Sequence, residues 1–199
     1  MPILELFASV GFDEAQSLSE VKDAAASIAE GEALALVFAG REIEDPNYVH
    51  WALEWPSLRA RDVSMQDGSY QRLMKAVGSS IRRGPIVTSL LDDQIKPFSG
   101  ILDTPVPEFA VTKVKGRAAR AQAAQAIDGM LANPHERTTQ GEVVLRGIDD
   151  EDCVIFVAGW KSVEDHMSEL SKPSQKAVND LAESCMEVVY IGHCSGRIL

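Results

Sequence analysis

The predicted order of strands and helices occurs twice along the 199 residues of this chain. Apolar alternation, helical spacing and Gly or Pro breaks give each half the order strand, helix, strand, strand, helix, helix, strand. The segments WPSL (55–58) and WKSV (160–163) align at an offset of 105 residues. The same offset aligns the apolar positions of the two first strands, Leu4 and Leu6 with Phe109 and Val111. The sequence therefore predicts a tandem duplication.

This element order also predicts the fold class. A split βαβ, or ferredoxin-like, unit has helices on one face of its sheet, so the other apolar face needs a cover. A second copy can provide that cover. We expect an α+β protein in which two tandem ferredoxin-like halves form an intrachain α+β barrel. Residues 1–94 are predicted as the first half, the Pro- and Gly-containing residues 95–106 as a connector, and residues 107–199 as the second half.

The composition argues against several classes of protein. Lys and Arg total 19 against 30 Asp and Glu, a formal charge of -11, and such a surface disfavours nucleic acids and anionic membranes as partners. The three cysteines form no C-x-x-C pair, which argues against a disulfide framework or a zinc ribbon. No apolar stretch approaches the ~18 residues of a membrane span, and the N-terminus lacks a signal-peptide pattern. We therefore expect a cytoplasmic protein.

Residues 154–167, VIFVAGWKSVEDHM, carry the pattern Gly-Trp-x-Ser-x-x-x-His at the end of an apolar strand. This pattern resembles the dimeric α+β barrel superfamily and, more narrowly, its antibiotic-biosynthesis monooxygenase (ABM) and stress-responsive barrel groups. In the first half Trp55-Pro56-Ser57 matches, but Arg61 takes the place of His166. The barrel of that superfamily normally forms from two chains. The duplication therefore implies a monomeric pseudo-dimer, with further oligomerisation left open.

The resemblance implies one fold, but it does not imply one function. Members of the superfamily include cofactor-free monooxygenases, haem-degrading enzymes, polyketide cyclases, decarboxylases, isomerases and proteins with no known activity. The motif itself also has a structural interpretation, because Ser162 and Asp165 form a capping box that satisfies amides at the start of a helix. Trp160 is then a large aromatic side chain that packs at the end of the strand.

Three residues are candidates for acid–base catalysis: His50, Tyr70 and His166. His50 lies mid-strand on the same face as Tyr48, where the second half is apolar, and this pattern indicates a cavity. A hydrogen-bonded structural role suits His50 equally, and the helical spacing of Tyr70 equally suits a core residue. His166 matches the motif and faces either the space between helix and sheet or the solvent. In the catalytic interpretation His50 is the base, and Tyr48 or Tyr70 holds a substrate oxygen.

Five residues are candidates for binding a substrate: Tyr48, Trp51, Trp55, Trp160 and His193. The tryptophans supply flat apolar walls, and His193 lies in the final Ile-Gly-His-Cys segment, from which it can point inward. No H-x-x-x-H metal spacing, Walker motif, dinucleotide glycine motif or G-x-S-x-G elbow is present. We therefore expect neither a metal nor another cofactor.

These observations predict a cofactor-independent enzyme that acts on a hydrophobic, polyketide- or aromatic-like small molecule in secondary metabolism. Abstraction of an acidic proton is the first step of oxygenation, cyclisation and isomerisation alike, so the residues do not choose among these reactions. The alternative is a non-catalytic small-molecule-binding or stress-related barrel whose interior is filled by side chains. An apolar cavity with convergent polar groups would favour the enzyme.

Overall fold

The structure is a computed structural model that describes residues 2–29, 34–78, 80–90, 98–132 and 141–199. Its secondary structure follows the predicted order. The elements are β1 (Ile3–Val10), α1 (Glu14–Ala29), β2 (Leu36–Glu42), β3 (Tyr48–Trp55), α2 (Leu58–Gln66), α3 (Ser69–Val77), β4 (Ile81–Leu90), α4 (Phe98–Leu102), β5 (Val106–Val114), a 3-10 turn (Arg117–Ala119), α5 (Arg120–Ala132), β6 (Glu142–Gly147), β7 (Cys153–Trp160), α6 (Val163–Leu170), α7 (Pro173–Cys185) and β8 (Met186–Ile198).

The chain divides into two compact units, Met1–Ser89 with Cys194–Leu199, and Leu90–His193. In the first unit the antiparallel strands run in the order β4-β1-β3-β2, and residues 194–198 of β8 pair with β2. In the second unit β6-β7-β5 is followed by the first part of β8. The predicted ferredoxin-like halves are thus present. The hydrogen-bonded order β1-β3-β2-β8-β5-β7-β6-β4 is that of a closed barrel, so the predicted α+β barrel is confirmed.

The helices of each unit bury apolar side chains against the sheet, but in α5 the buried alanines are Ala123 and Ala126 and not the predicted Ala121 and Ala124, which are exposed. In the first unit, Val21 and Ile28 of α1 and Leu73 and Val77 of α3 lie in one buried cluster with Trp55 of the sheet. In the second unit a separate cluster joins α5, α7 and the sheet. Among the described residues, none of the helices has the length and apolarity that a membrane span requires.

The strand register corrects the alignment of the two halves. Ile3 pairs with Trp55 and Val106 pairs with Trp160, so the first strands are related by an offset of 103 residues. The prediction that Leu4 and Leu6 match Phe109 and Val111 is therefore wrong by two residues. A shift of two leaves the inward and outward alternation of a strand unchanged, so the apolar pattern could not detect it. The corrected register makes Glu5 the counterpart of Glu108.

Two strands are longer than the hydrophobic pattern predicts, which is residues 86–91 for the fourth strand, with Ile81 in the helix before it, and residues 186–191 for the last strand. In the structure β4 already starts at Ile81, and β8 continues to Ile198. Gly84 does not stop β4, because a register shift opposite Leu6 accommodates it at φ +84°. A Cβ atom at Gly84 would lie 2.5 Å from the carbonyl oxygen of Leu6, so only glycine fits there.

The predicted connector, residues 95–106, contains a short helix, α4, which ends just before β5 begins. Residues 91–97 lie outside the described residues, and so does the predicted boundary at residue 94. That boundary stays a prediction.

Candidate functional site

A buried polar cluster lies in the second unit, around the tryptophan of the predicted motif. Trp160 ends β7, and its Nε1 donates a hydrogen bond to Oε2 of Glu108 on β5, at 2.5 Å. Nδ1 of His166 lies 2.7 Å from Nε2 of His193 and 3.4 Å from Oε2 of Glu108. Nε2 of His193 lies 3.8 Å from the same oxygen. All four side chains are buried. We name Glu108, His166 and His193 the histidine cluster.

Local sequence places His166 in this cluster. Ser162 has extended backbone and its hydroxyl accepts a hydrogen bond from the backbone N–H of Asp165 at 3.1 Å, so it caps α6. The helix therefore starts at Val163, three residues after Trp160. Its first turn then brings the ring of His166 onto the indole of Trp160, with ring centroids 4.5 Å apart and planes at 26°. His193 reaches the cluster from β8, where it pairs with Glu108 across the sheet.

The histidine cluster borders an apolar cleft of about 210 Å³ between the sheet and the helices of the second unit. Glu108, Trp160 and His166 form part of its wall. Apolar side chains form much of the remainder, among them Met130, Phe156, Ala158, Leu170, Ala182 and Ile191. Polar side chains also line the cleft, namely Thr112, Glu142, Asn179, Glu183 and Glu187. Most of its lining surface is nevertheless apolar, which suits a hydrophobic ligand that carries a polar function.

The equivalent position of the first unit holds a different set of residues. Glu5 is fully buried and accepts hydrogen bonds from Nε1 of Trp55 at 3.1 Å, from Nε and Nη2 of Arg61 at 3.0 Å each, and from the hydroxyl of Tyr70 at 2.7 Å. Burial, and next the negative charge of Glu5, raise the pKa of Tyr70. The candidate Tyr70 is thus a hydrogen-bond donor within an ion-paired group.

His50 belongs to a third cluster, also in the first unit. Its Nε2 lies 2.5 Å from Oε2 of Glu42, and Nη1 of Arg83 lies 2.5 Å from the same oxygen. Burial lowers the pKa of His50, while the hydrogen bond with Glu42 opposes that shift. The guanidinium of Arg83 lies over the ring of Tyr48, 4.0 Å from its centroid. His50 bonds to Glu42, Tyr70 bonds to Glu5 and His166 lies in the histidine cluster, so the three catalytic candidates belong to three different clusters.

The structure separates the three candidate tryptophans. Trp160 lines the cleft of the second unit, whereas Trp51 and Trp55 are fully buried in the core of the first unit. Trp51 packs against Phe7 and Phe12, and its Nε1 donates to the hydroxyl of Ser9 at 3.0 Å.

Sequence reasoning missed four charged residues that build these clusters: Glu5, Glu42, Arg83 and Glu108. The carboxylates had a signal, because Glu5 and Glu108 each interrupt an apolar strand, as ILELF and VPEFAV show. Arg83 had none, since its segment was assigned to the end of a helix and the approach to a turn.

Comparison with known proteins defines the fold and leaves the activity open. No family model and no curated protein matches the sequence. Solved structures do match. A candidate monooxygenase from Fusobacterium nucleatum has a TM-score of 0.66 at 10% identity, covering 100% of this chain and 92% of its own. An anthrone oxidase-like protein has a TM-score of 0.65 at 16% identity, covering 98% and 90%.

A third match has a different description, a major regulator of staphylococcal pathogenesis, with a TM-score of 0.56 at 9% identity over 98% of each chain. Likeness at such low identity shows the fold alone. These matches confirm the α+β barrel fold that the sequence predicted.

Proposed function

We propose that this chain is an oxygenase-type enzyme that acts on a hydrophobic, aromatic-like small molecule bound in the cleft of the second unit. The observation that carries the proposal is the histidine cluster at the wall of an apolar cleft. Two of the similar structures are described as a candidate monooxygenase and an anthrone oxidase-like protein, which supports the same class of reaction. The predicted setting in secondary metabolism belongs to this proposal.

The histidine cluster accepts a proton from the substrate. The facing nitrogens of His166 and His193 lie 2.7 Å apart, so one holds a hydrogen and the other accepts it. A proton taken from an acidic C–H or O–H of the substrate is stabilised there by the carboxylate of Glu108. The apolar wall keeps water from the resulting enolate or phenolate.

The enolate then reacts with dissolved oxygen, without a further cofactor. Oxygen forms a bond to the enolate carbon, and loss of water from the hydroperoxide leaves a new carbonyl group. In sum, a CH₂ group and O₂ become C=O and H₂O. Cyclisation or isomerisation would start from the same enolate and would consume no oxygen.

A non-catalytic binding protein is the second candidate. The observation that favours it is the first unit, where Glu5, Trp55, Arg61 and Tyr70 satisfy one another with hydrogen bonds. A polar group closed in this way stabilises the fold and needs no substrate. The cleft of the second unit would then bind a hydrophobic molecule without changing it.

Oxygen uptake with a panel of anthrones and related phenols tests the proposal, using protein treated with a chelator. His166→Gln should lower turnover by at least about 100-fold if His166 helps to accept the proton. His50→Gln is the matched control, because His50 is also a buried histidine but lies in the other unit. Undiminished turnover in folded His166→Gln, or loss only in His50→Gln, would refute the assignment.

Native mass spectrometry adds two further results. A ligand that is released on denaturation identifies the substrate class. The mass of the native protein tests the predicted monomeric pseudo-dimer, which a stable dimer would contradict.

A further inference from the structure

We propose that Glu108, His166 and His193 bind a divalent transition-metal ion, which occupies the histidine cluster in place of a proton. The inference uses the same cluster as the proposed function, but it concerns a ligand that the sequence did not predict. His166 and His193 lie 27 residues apart and Glu108 comes from a third element, so no short motif could reveal the set.

The donor atoms already have the spacing that a metal ion requires. Nδ1 of His166, Nε2 of His193 and a carboxylate oxygen of Glu108 all lie within 4.8 Å of one another. A point equidistant from these three atoms lies about 2.0 Å from each, which matches the bonds of Zn²⁺ to imidazole and carboxylate. In tetrahedral geometry the two nitrogens, now 2.7 Å apart, would separate to about 3.3 Å.

In the first unit, a cation balances the buried carboxylate at the position equivalent to Glu108. Glu5, the counterpart of Glu108, is neutralised by the two-pronged ion pair with Arg61. In the second unit the position of Arg61 is taken by His166. On the strand β4, Glu5 pairs with Val87, whereas on the corresponding strand β8, Glu108 pairs with His193. His166 and His193 thus occupy the positions that Arg61 and Val87 occupy in the first unit. A metal ion bound by the two imidazoles would pair with this buried carboxylate.

The ligand set selects the class of metal. Two imidazole nitrogens and one carboxylate favour Zn²⁺, Co²⁺, Ni²⁺ or Fe²⁺ over Mg²⁺ and Ca²⁺, which prefer oxygen ligands. Nε1 of Trp160 holds the same carboxylate oxygen by a hydrogen bond, and such outer contacts orient metal ligands. Glu108 and His166 also line the cleft, so a bound ion faces the space proposed for the substrate.

Metal binding has a consequence for the proposed reaction. The ion uses the nitrogen lone pairs that would otherwise accept the substrate proton. Bound Zn²⁺ should therefore inhibit the chelator-treated enzyme, and a chelator should restore turnover.

Titration of the chelator-treated full chain with Co²⁺ tests the inference directly, without substrate. We expect one equivalent of Co²⁺ to give a visible absorption band of nitrogen and oxygen ligation, without the near-ultraviolet band of thiolate ligation. His193→Gln and Glu108→Gln should each weaken binding by at least about 100-fold. His50→Gln should bind Co²⁺ as the natural protein does. Circular dichroism verifies that each variant is folded.

Thermal unfolding gives a second readout. Zn²⁺ should raise the Tm of the natural protein and of His50→Gln, but not the Tm of His193→Gln or Glu108→Gln. Equal Co²⁺ affinity in a His166→Gln, His193→Gln double variant, or a thiolate band, would overturn the inference. The two proposals fail separately. Absent metal binding with normal turnover rejects only the metal site, whereas normal metal binding with no turnover rejects only the proposed enzyme.

Discussion

Replacing Arg61 by alanine should destabilise the protein strongly, because it leaves the buried carboxylate of Glu5 without its cation. The Arg61 side chain is 14% exposed and Glu5 is fully buried. The substitution removes two of the four hydrogen bonds that Glu5 accepts, those from Nε and Nη2. Bonds to charged groups contribute about 1.5–3 kcal/mol each, so the loss is about 3–6 kcal/mol. Breaking one side of a buried ion pair typically costs about 3–5 kcal/mol, in agreement.

Urea unfolding measures this loss. With a slope of about 2–3 kcal/mol per molar urea, the midpoint of Arg61→Ala should fall by about 1–3 M. Lys176→Ala is the comparison, because Lys176 and Asp180 form an exposed ion pair one helical turn apart, and its midpoint should not change measurably.

A double variant separates the lost pair from the unpaired charge. Glu5→Gln removes the charge but keeps an acceptor for Nε1 of Trp55. The double variant Glu5→Gln, Arg61→Ala should therefore be more stable than Arg61→Ala alone, by at least about 1 kcal/mol. If the two losses simply add, the reasoning about an uncompensated buried charge is wrong.

Three further results are expected. Ser162→Ala should lower the free energy of unfolding by about 1 kcal/mol, because the amide of Asp165 loses its cap, whereas Ser162→Thr in the same urea assay should lose less. Gly84→Ala should cost more than about 1 kcal/mol in thermal unfolding, and an unchanged Tm would contradict the contact with Leu6. Burial lowers the pKa of His50 below 6.5, so the folded state binds fewer protons there than the unfolded state. The neutral imidazole of His50 contributes fully to stability above pH 6.5, and this contribution is lost as the pH falls through the lowered pKa. Over that range the free energy of unfolding of His50→Gln should fall less than that of the natural protein. Parallel pH profiles of the two proteins would contradict this.

Much of the fold could be predicted because its signals are local. The sequence predicts strands over Tyr48–Trp55 and Cys153–Trp160, and β3 and β7 have these bounds, since each is an apolar run ended by a tryptophan and a helix cap. The caps themselves, Ser57 and Ser162, act within three residues of chain. The start of β4 was mispredicted because glycine is a local signal for the end of a strand, whereas a register shift against β1 accommodates Gly84 within β4.

The sites depended on contacts that no local pattern encodes. The sequence marked His50, Tyr70 and His166, but the partners that decide their chemistry are the carboxylates of Glu42, Glu5 and Glu108. His166 alone matches a motif, and only the structure shows His193 beside it. His50 and His166 are the same residue type, yet His50 contacts the ion pair of Glu42 and Arg83 while His166 borders a cleft.

By itself, the sequence determined the duplicated element order, the fold class and the starts of the helices that Ser57 and Ser162 cap, because hydrophobic periodicity and capping act over a few residues. Tertiary structure alone decided the strand register that pairs Glu5 with Arg61 and Glu108 with His166. A shift of two residues leaves a strand pattern unchanged, but it moves a charged group by about 7 Å along the sheet. Ion pairs and proton transfer work over about 3 Å, so their chemistry depends on distances that only the folded chain sets.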